Sequence, residues 1–172
     1  MNQNRPYKIA ISFAEEDRVI ASGIATALDL YDVDYYYYPE QQSVMNGREL
    51  DKILSNIYEN EADFALAIVS EHYLKKKFTT MEFEAISKRR TLDEGYMMLV
   101  KVGEADMTKL PDVTEHTVYF PWQNEFKPLV EGILMKKLNI RPKTKKKSKL
   151  QPITAKNVVQ IRENKGGTFN FS

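Results

Sequence analysis

At 172 residues the chain is long enough for one domain with a sizeable core. Apolar residues make up 42% and charged residues 28%, an ordinary balance for a globular fold, and the absence of cysteine excludes disulfide scaffolds and thiolate chemistry. The net charge of +1 is unevenly spread: residues 139–172 hold nine Lys or Arg and one acid, Glu163, so that stretch carries +8 and residues 1–138 carry −7.

Residues 1–8 are polar, without the apolar stretch of a secretory leader, and no apolar run approaches the roughly 20 residues of a membrane helix. The expected location is the cytoplasm, with no membrane contact. Residues 7–13 read as a buried strand, short and β-branched around Ile9 and Ile11. Glu15, Glu16 and Asp17 then open a helix, where acids suit the positive end. Val19, Ile20, Ile24, Ala27, Leu28 and Tyr31 carry it to about residue 31. Residues 33–38 form the second strand, with four consecutive tyrosines, and Pro39 ends it. A polar loop follows to Gly47, the residue suited to a tight turn. A second helix is expected over 48–59, with Leu50, Ile53, Leu54 and Ile57 on one face.

Residues 64–69 are almost continuously apolar, as a central parallel strand covered on both faces should be. A loop over 70–77 leads to a third helix over 80–90, then to a fourth strand over 96–102. Residues 103–116 are polar and weakly periodic, consistent with a short helix or loop. A short fifth strand over 117–120 and a closing helix over 126–138 complete the domain. The alternation of strands and helices predicts right-handed βαβ crossovers in one parallel sheet.

Residues 139–151 read as a basic linker containing Lys145, Lys146 and Lys147. In residues 152–172, apolar and polar residues alternate around Gly166 and Gly167, a β-hairpin signal. An isolated hairpin is marginal in water, so this tail is expected to dock on the globule, another copy or a partner protein. Nucleic-acid contact through the six basic residues from Arg141 to Lys149 is disfavoured, because no aromatic is interleaved to stack on bases.

Several chemistries are excluded by the residues present. There is no GxGxxG and no GxxxxGK[ST], so neither a dinucleotide-binding nor a P-loop signature exists. A phosphoreceiver would place an Asp after the third strand and a Lys after the fifth; those ends read Val69-Ser70 and Phe120-Pro121. His72 and His116 stand without partners at metal spacing, so no metal site is expected. No serine sits in a nucleophile elbow.

Residues 9–17 resemble the first conserved box of the TIR (Toll/interleukin-1 receptor-like) family, "[VI]FISYSxxD". The loop to Gly47 is similar to the family's BB loop, and residues 53–70 to its "IxxxIxxSxxxxxVxxS" segment. Ser70, Tyr73, Phe78, Thr79, Glu82 and Phe83 match "SxxYxxSxWCxxEL", with Phe for Trp and Thr for Cys. The resemblance covers about residues 7–138. It implies a flavodoxin-like three-layer α/β fold with five parallel strands in the order 2-1-3-4-5. It also implies a prokaryotic-type enzyme that cleaves NAD+ as substrate, an immune effector that depletes NAD+ or makes a cyclic ADP-ribose signal. By the same resemblance Glu82 is the catalytic residue, and Ser12, Phe13, Ala14, Tyr38, Gly47 and Phe78 border the bound NAD+. Such enzymes work as assemblies, so a homo-oligomer through the loop at residues 39–47 is implied.

One carboxylate suffices for that chemistry. Nicotinamide leaves NAD+ as a neutral base, so no general acid is needed, whereas a glycosidase usually needs two carboxyl groups. The transition state is positive at the ribose, and a carboxylate beside it stabilises that charge. Two other readings stay open. Thr79-x-x-Glu82 is also a helix capping box, and Phe78 and Phe83 would form its hydrophobic staple. The domain could equally be a non-enzymatic adaptor that binds other TIR domains.

Overall fold

The computed structural model describes residues 5–39 and 49–136. Gly47, the rest of the loop over 40–48, the basic linker and the tail lie outside the described residues. Five strands, β1 (Tyr7–Phe13), β2 (Tyr35–Tyr36), β3 (Ala62–Val69), β4 (Met97–Lys101) and β5 (Phe120–Pro121), form one sheet in the order β2-β1-β3-β4-β5. Every pairing is parallel. Among the described residues four α-helices connect or follow them: α1 (Arg18–Leu30), α2 (Leu50–Asn56), α3 (Lys77–Arg90) and α4 (Phe126–Lys136). This is the expected flavodoxin-like α/β architecture.

Alternation along each strand assigns side chains to two cores. Ile9 and Ile11 of β1, Leu66 and Ile68 of β3, and Val100 of β4 pack with Ile24 and Leu28 of α1 and Ile133 of α4. Gly23 is what lets α4 sit so close to α1, since a Cβ there would lie 2.2 Å from the Phe126 ring. Ala10, Ala65, Ala67 and Leu99 face the other way, towards Tyr36, Tyr58, Tyr73, Tyr96, Phe83 and Ile86.

Several boundaries differ from expectation. Strand β2 keeps only Tyr35 and Tyr36 in register, opposite Ile9 and Ala10. Tyr37 instead stacks on Phe13, with ring centroids 5.4 Å apart. Residues 117–119 are not strand. Thr117 closes a turn on Thr114, its amide donating to the Thr114 carbonyl at 3.0 Å, and Val118 is 90% exposed. Pairing begins only at Phe120 and includes Pro121, a residue an edge strand tolerates. Helix α2 passes at Ile57 into a wide π-type turn, Ile57–Glu61, which drops Tyr58 into the core. Helix α3 starts three residues before the expected point.

Candidate active site

Strands β1 and β3 end at the edge of the sheet where open α/β folds bind ligands. Both strand ends are tied by buried polar contacts. Asp17, just after β1, is buried and accepts a 2.5 Å hydrogen bond from the Ser70 hydroxyl, just after β3. Burial raises the Asp17 pKa, and the Ser70 bond opposes that rise. The same Ser70 oxygen accepts from the amides of His72 and Tyr73, both at 3.2 Å. Lys76 adds an ion pair with Glu16 at 2.6 Å. The loop that carries Tyr73 is thus anchored to the first strand's loop from two sides.

Helix α3 leaves this loop at Lys77, capped at Lys76 without a side-chain hydrogen bond. Thr79 therefore lies inside the first turn and does not cap. Its buried hydroxyl lies 2.5 Å from the Tyr73 carbonyl and 2.8 Å from that of Lys76, bracing the loop. Phe78 is 59% exposed while Phe83 is fully buried, so the two do not staple. The capping-box reading of Glu82 is overturned: its side chain leaves the helix and meets β1. Ser12 Oγ donates to Glu82 Oε2 at 2.5 Å and lies 2.7 Å from the Tyr73 hydroxyl.

The Glu82 side chain remains partly exposed, but protein atoms crowd its carboxylate. Burial pushes its pKa up to about 7, against the Ser12 hydrogen bond and the neighbouring Tyr58 phenol, which favour the anion. Tyr58 and Tyr73 titrate well above their ordinary value, first because they are buried and next because Glu82 is negative. Tyr36 is raised for the same two reasons. These phenols therefore stay protonated around neutral pH, as donors. Tyr58 donates to the Ile11 carbonyl at 3.1 Å and Tyr96 to the Tyr58 carbonyl. A partly ionised carboxylate in a ring of neutral phenols can stabilise a cation brought against it.

Of the residues expected at the site, the structure brings Ser12 and Glu82 into contact. Ala14 is buried one turn of the loop further on, its carbonyl accepting from Asp17 at 2.8 Å. Phe13 turns to the aliphatic side of the sheet, where it packs on Tyr37. Tyr38 packs, partly buried, against the tyrosine-rich core. Phe78 stands one helical turn before Glu82, open to solvent. Tyr36, Tyr58 and the Asp17–Ser70 clamp were not singled out by sequence. The Ser70-x-x-Tyr73 spacing was the available signal for the clamp. A separate cavity of about 330 Å³, lined by Arg90, Glu94, Met97, His116 and Val118 among others, opens near the far end of α3 and includes none of these residues. Among the described residues, no group of three or more His, Asp and Glu gathers as metal ligands would. No described helix is long and apolar enough to cross a membrane.

A parallel sheet in this order, with a buried carboxylate at the carboxyl ends of its first and third strands, defines a flavodoxin-like α/β domain with a polar site on one face. A family profile described as TIR domain matches residues 9–133, most of the chain, which therefore belongs to the TIR domain family. It is similar to the 3' cyclic ADP-D-ribose synthase AaTIR of Aquimarina amphilecti, with 28% identity over 139 residues. That match takes in 78% of this chain but only 42% of the relative's length. Among solved structures it resembles the TIR domain of the Toll-related receptor TRR-2 from Hydra magnipapillata, with a TM-score of 0.59 and 13% identity over 77% of this chain and 98% of that one. The second likeness bears on the fold alone.

Proposed function

We propose that this TIR domain cleaves the bond between nicotinamide and ribose in NAD+, with Glu82 as the catalytic residue. The observation that carries the reading is the direction of the Glu82 side chain, away from its own helix end and held by Ser12 at the carboxyl end of β1. The likeness to a cyclic ADP-D-ribose synthase supports it.

In this reading the C1′–N bond breaks with its electron pair going to nicotinamide, which leaves neutral. The positive charge left on the ribose faces the Glu82 carboxylate. Water then captures C1′ and releases a proton, giving ADP-ribose, or a nucleophile within the same molecule captures it, giving a cyclic product. A pKa near 7 leaves the carboxylate partly ionised at neutral pH, and a bound pyridinium cation draws it further to the anion. The protein would act as an immune effector and assemble through residues 39–47.

The test is nicotinamide release from NAD+ by pure protein over a range of concentrations, with Glu82→Gln alongside. Turnover per molecule should rise with concentration, and Glu82→Gln should lose on the order of 10²-fold or more in rate while staying folded. Absence of nicotinamide release at every concentration leaves the adaptor reading, in which the domain only binds other TIR domains.

A further inference from the structure

Ser12 has one hydroxyl proton, and it is directed at Glu82 Oε2. The 2.7 Å contact between Ser12 Oγ and Tyr73 must then be a bond in which the phenol donates. The result is a one-way chain, Tyr73 O–H to Ser12 Oγ, and Ser12 O–H to the carboxylate. We propose that Tyr73 is a positioning residue which acts through Ser12 to hold the Glu82 carboxylate anionic and pointed at the site.

Three features make the chain directional. Tyr73 is fully buried, so its hydroxyl has no bulk water to turn to. Its ring is fixed edge-on against Phe83, with centroids 6.4 Å apart. Its backbone is fixed by Ser70 Oγ at the amide and by Thr79 at the carbonyl. A donor that cannot rotate away polarises the next hydroxyl, and such chains strengthen each bond by roughly 10–30%. The groups facing Glu82 from other elements are Ser12 on β1, Tyr36 on β2, Tyr58 on the wide turn and Tyr73 on the loop before α3. Tyr58 also lies beside Ser12 and Glu82, but its one hydroxyl proton goes to the Ile11 carbonyl. Tyr73 is the phenol whose hydroxyl lies 2.7 Å from Ser12 Oγ.

This inference rests on the proposed role of Glu82, but its test does not need turnover. Carbon-13 NMR of labelled glutamate, assigned with Glu82→Gln, follows the carboxyl titration in the free protein. Tyr73→Phe keeps the ring and removes the donor; it should move the Glu82 midpoint up by roughly 0.1 to 0.6 pH unit. Ser12→Ala, which removes the direct bond, should move it up by about 1 to 2. In the double variant the Tyr73 change should add nothing, because its route is gone. A midpoint that stays put or falls in Tyr73→Phe overturns the relay. So do two shifts that add in the double variant, since Tyr73 would then act across space. If Tyr73→Phe fails to fold, Tyr73→Trp cannot replace it, but 3-fluorotyrosine at position 73 lowers the phenol pKa and strengthens donation. The midpoint should then fall, and a rise overturns the relay. If NAD+ is cleaved, the acidic limb of the rate profile should move with the NMR midpoint, a loss of up to about fourfold at pH 6 for Tyr73→Phe that is recovered at high pH. If NAD+ is not cleaved, the enzyme reading falls and the NMR result still decides the relay.

Discussion

The two faces of the sheet are built from different chemistry. On the α1 and α4 side the strands offer Ile9, Ile11, Leu66, Ile68 and Val100, all buried, and the helices answer with Ile24, Leu28 and Ile133. On the α2 and α3 side the same strands offer mostly Ala10, Ala65, Ala67 and Ser12. Small strand residues leave room for Tyr36, Tyr58, Tyr73 and Tyr96, whose hydroxyls need partners. Tyr58, Tyr96 and Tyr73 find them in the Ile11 carbonyl, the Tyr58 carbonyl and Ser12. One face holds the fold together by area alone. The other gives up some aliphatic packing for a polar network around a carboxylate. The difference teaches that one side of a strand can serve packing alone while the other combines packing with chemistry.

The sharpest attempt to break this division is Leu66→Ala. Leu66 is fully buried on the aliphatic face, and truncation there should cost about 2–5 kcal/mol, read from denaturant unfolding. Nicotinamide release per folded molecule should not change. A fall in rate at full folding would mean that the aliphatic face also shapes the site.

Next in size is the cost of the carboxylate itself. Glu82 ionises near 4.5 without its surroundings and near 7 in the fold. Between those values the folded protein keeps a proton that the unfolded chain has lost, so stability falls as pH rises. The contribution is complete below about pH 4.5 and is gone above about pH 7, a difference of up to about 3 kcal/mol. Glu82→Gln carries no charge to bury. It should unfold like the parent protein at pH 4 and be the more stable of the two at pH 8. Equal stability at both pH values would show that water reaches the carboxylate freely and that burial does not set its pKa.

Much of this was legible in the sequence, for reasons that can be traced to residues. Strand β1 falls at its expected limits because Ile9 and Ile11 alternate with Ala10 and Ser12 between two buried faces. The same alternation could have separated Phe13 from Ser12, since consecutive strand residues face opposite ways. The run of four tyrosines defeated periodicity, because every position satisfies both faces. Only pairing with β1 limits the strand to Tyr35 and Tyr36. The capping box misled for a different reason. Thr79 and Glu82 have the right spacing, but each finds a partner distant in the fold, the Tyr73 carbonyl for one and Ser12 for the other. Local patterns do not weigh such partners. The wide turn that buries Tyr58 gives no local signal either, since its residues continue the helical periodicity of α2.

Phe78 offers the smallest effect and tests where the polar face ends. It lies one turn before Glu82 on α3, and with 59% of its surface exposed it contributes little to the core. Phe78→Ala should leave stability within about 0.5 kcal/mol of the parent. An apolar ring left in water one helical turn from Glu82 is suited to stack on a ligand ring, and stacking of this kind is worth about 1–3 kcal/mol. If it stacks on NAD+, the variant should raise KM roughly tenfold with kcat little changed, because the ring would touch a base and not the ribose where charge develops. Phe78→Trp should restore KM. An unchanged KM would place Phe78 outside the substrate's reach and confine the site to the phenols, Ser12 and Glu82. A fall in kcat instead would mean that the ring orients the ribose, and the boundary between the two faces would have to be drawn one helical turn further out.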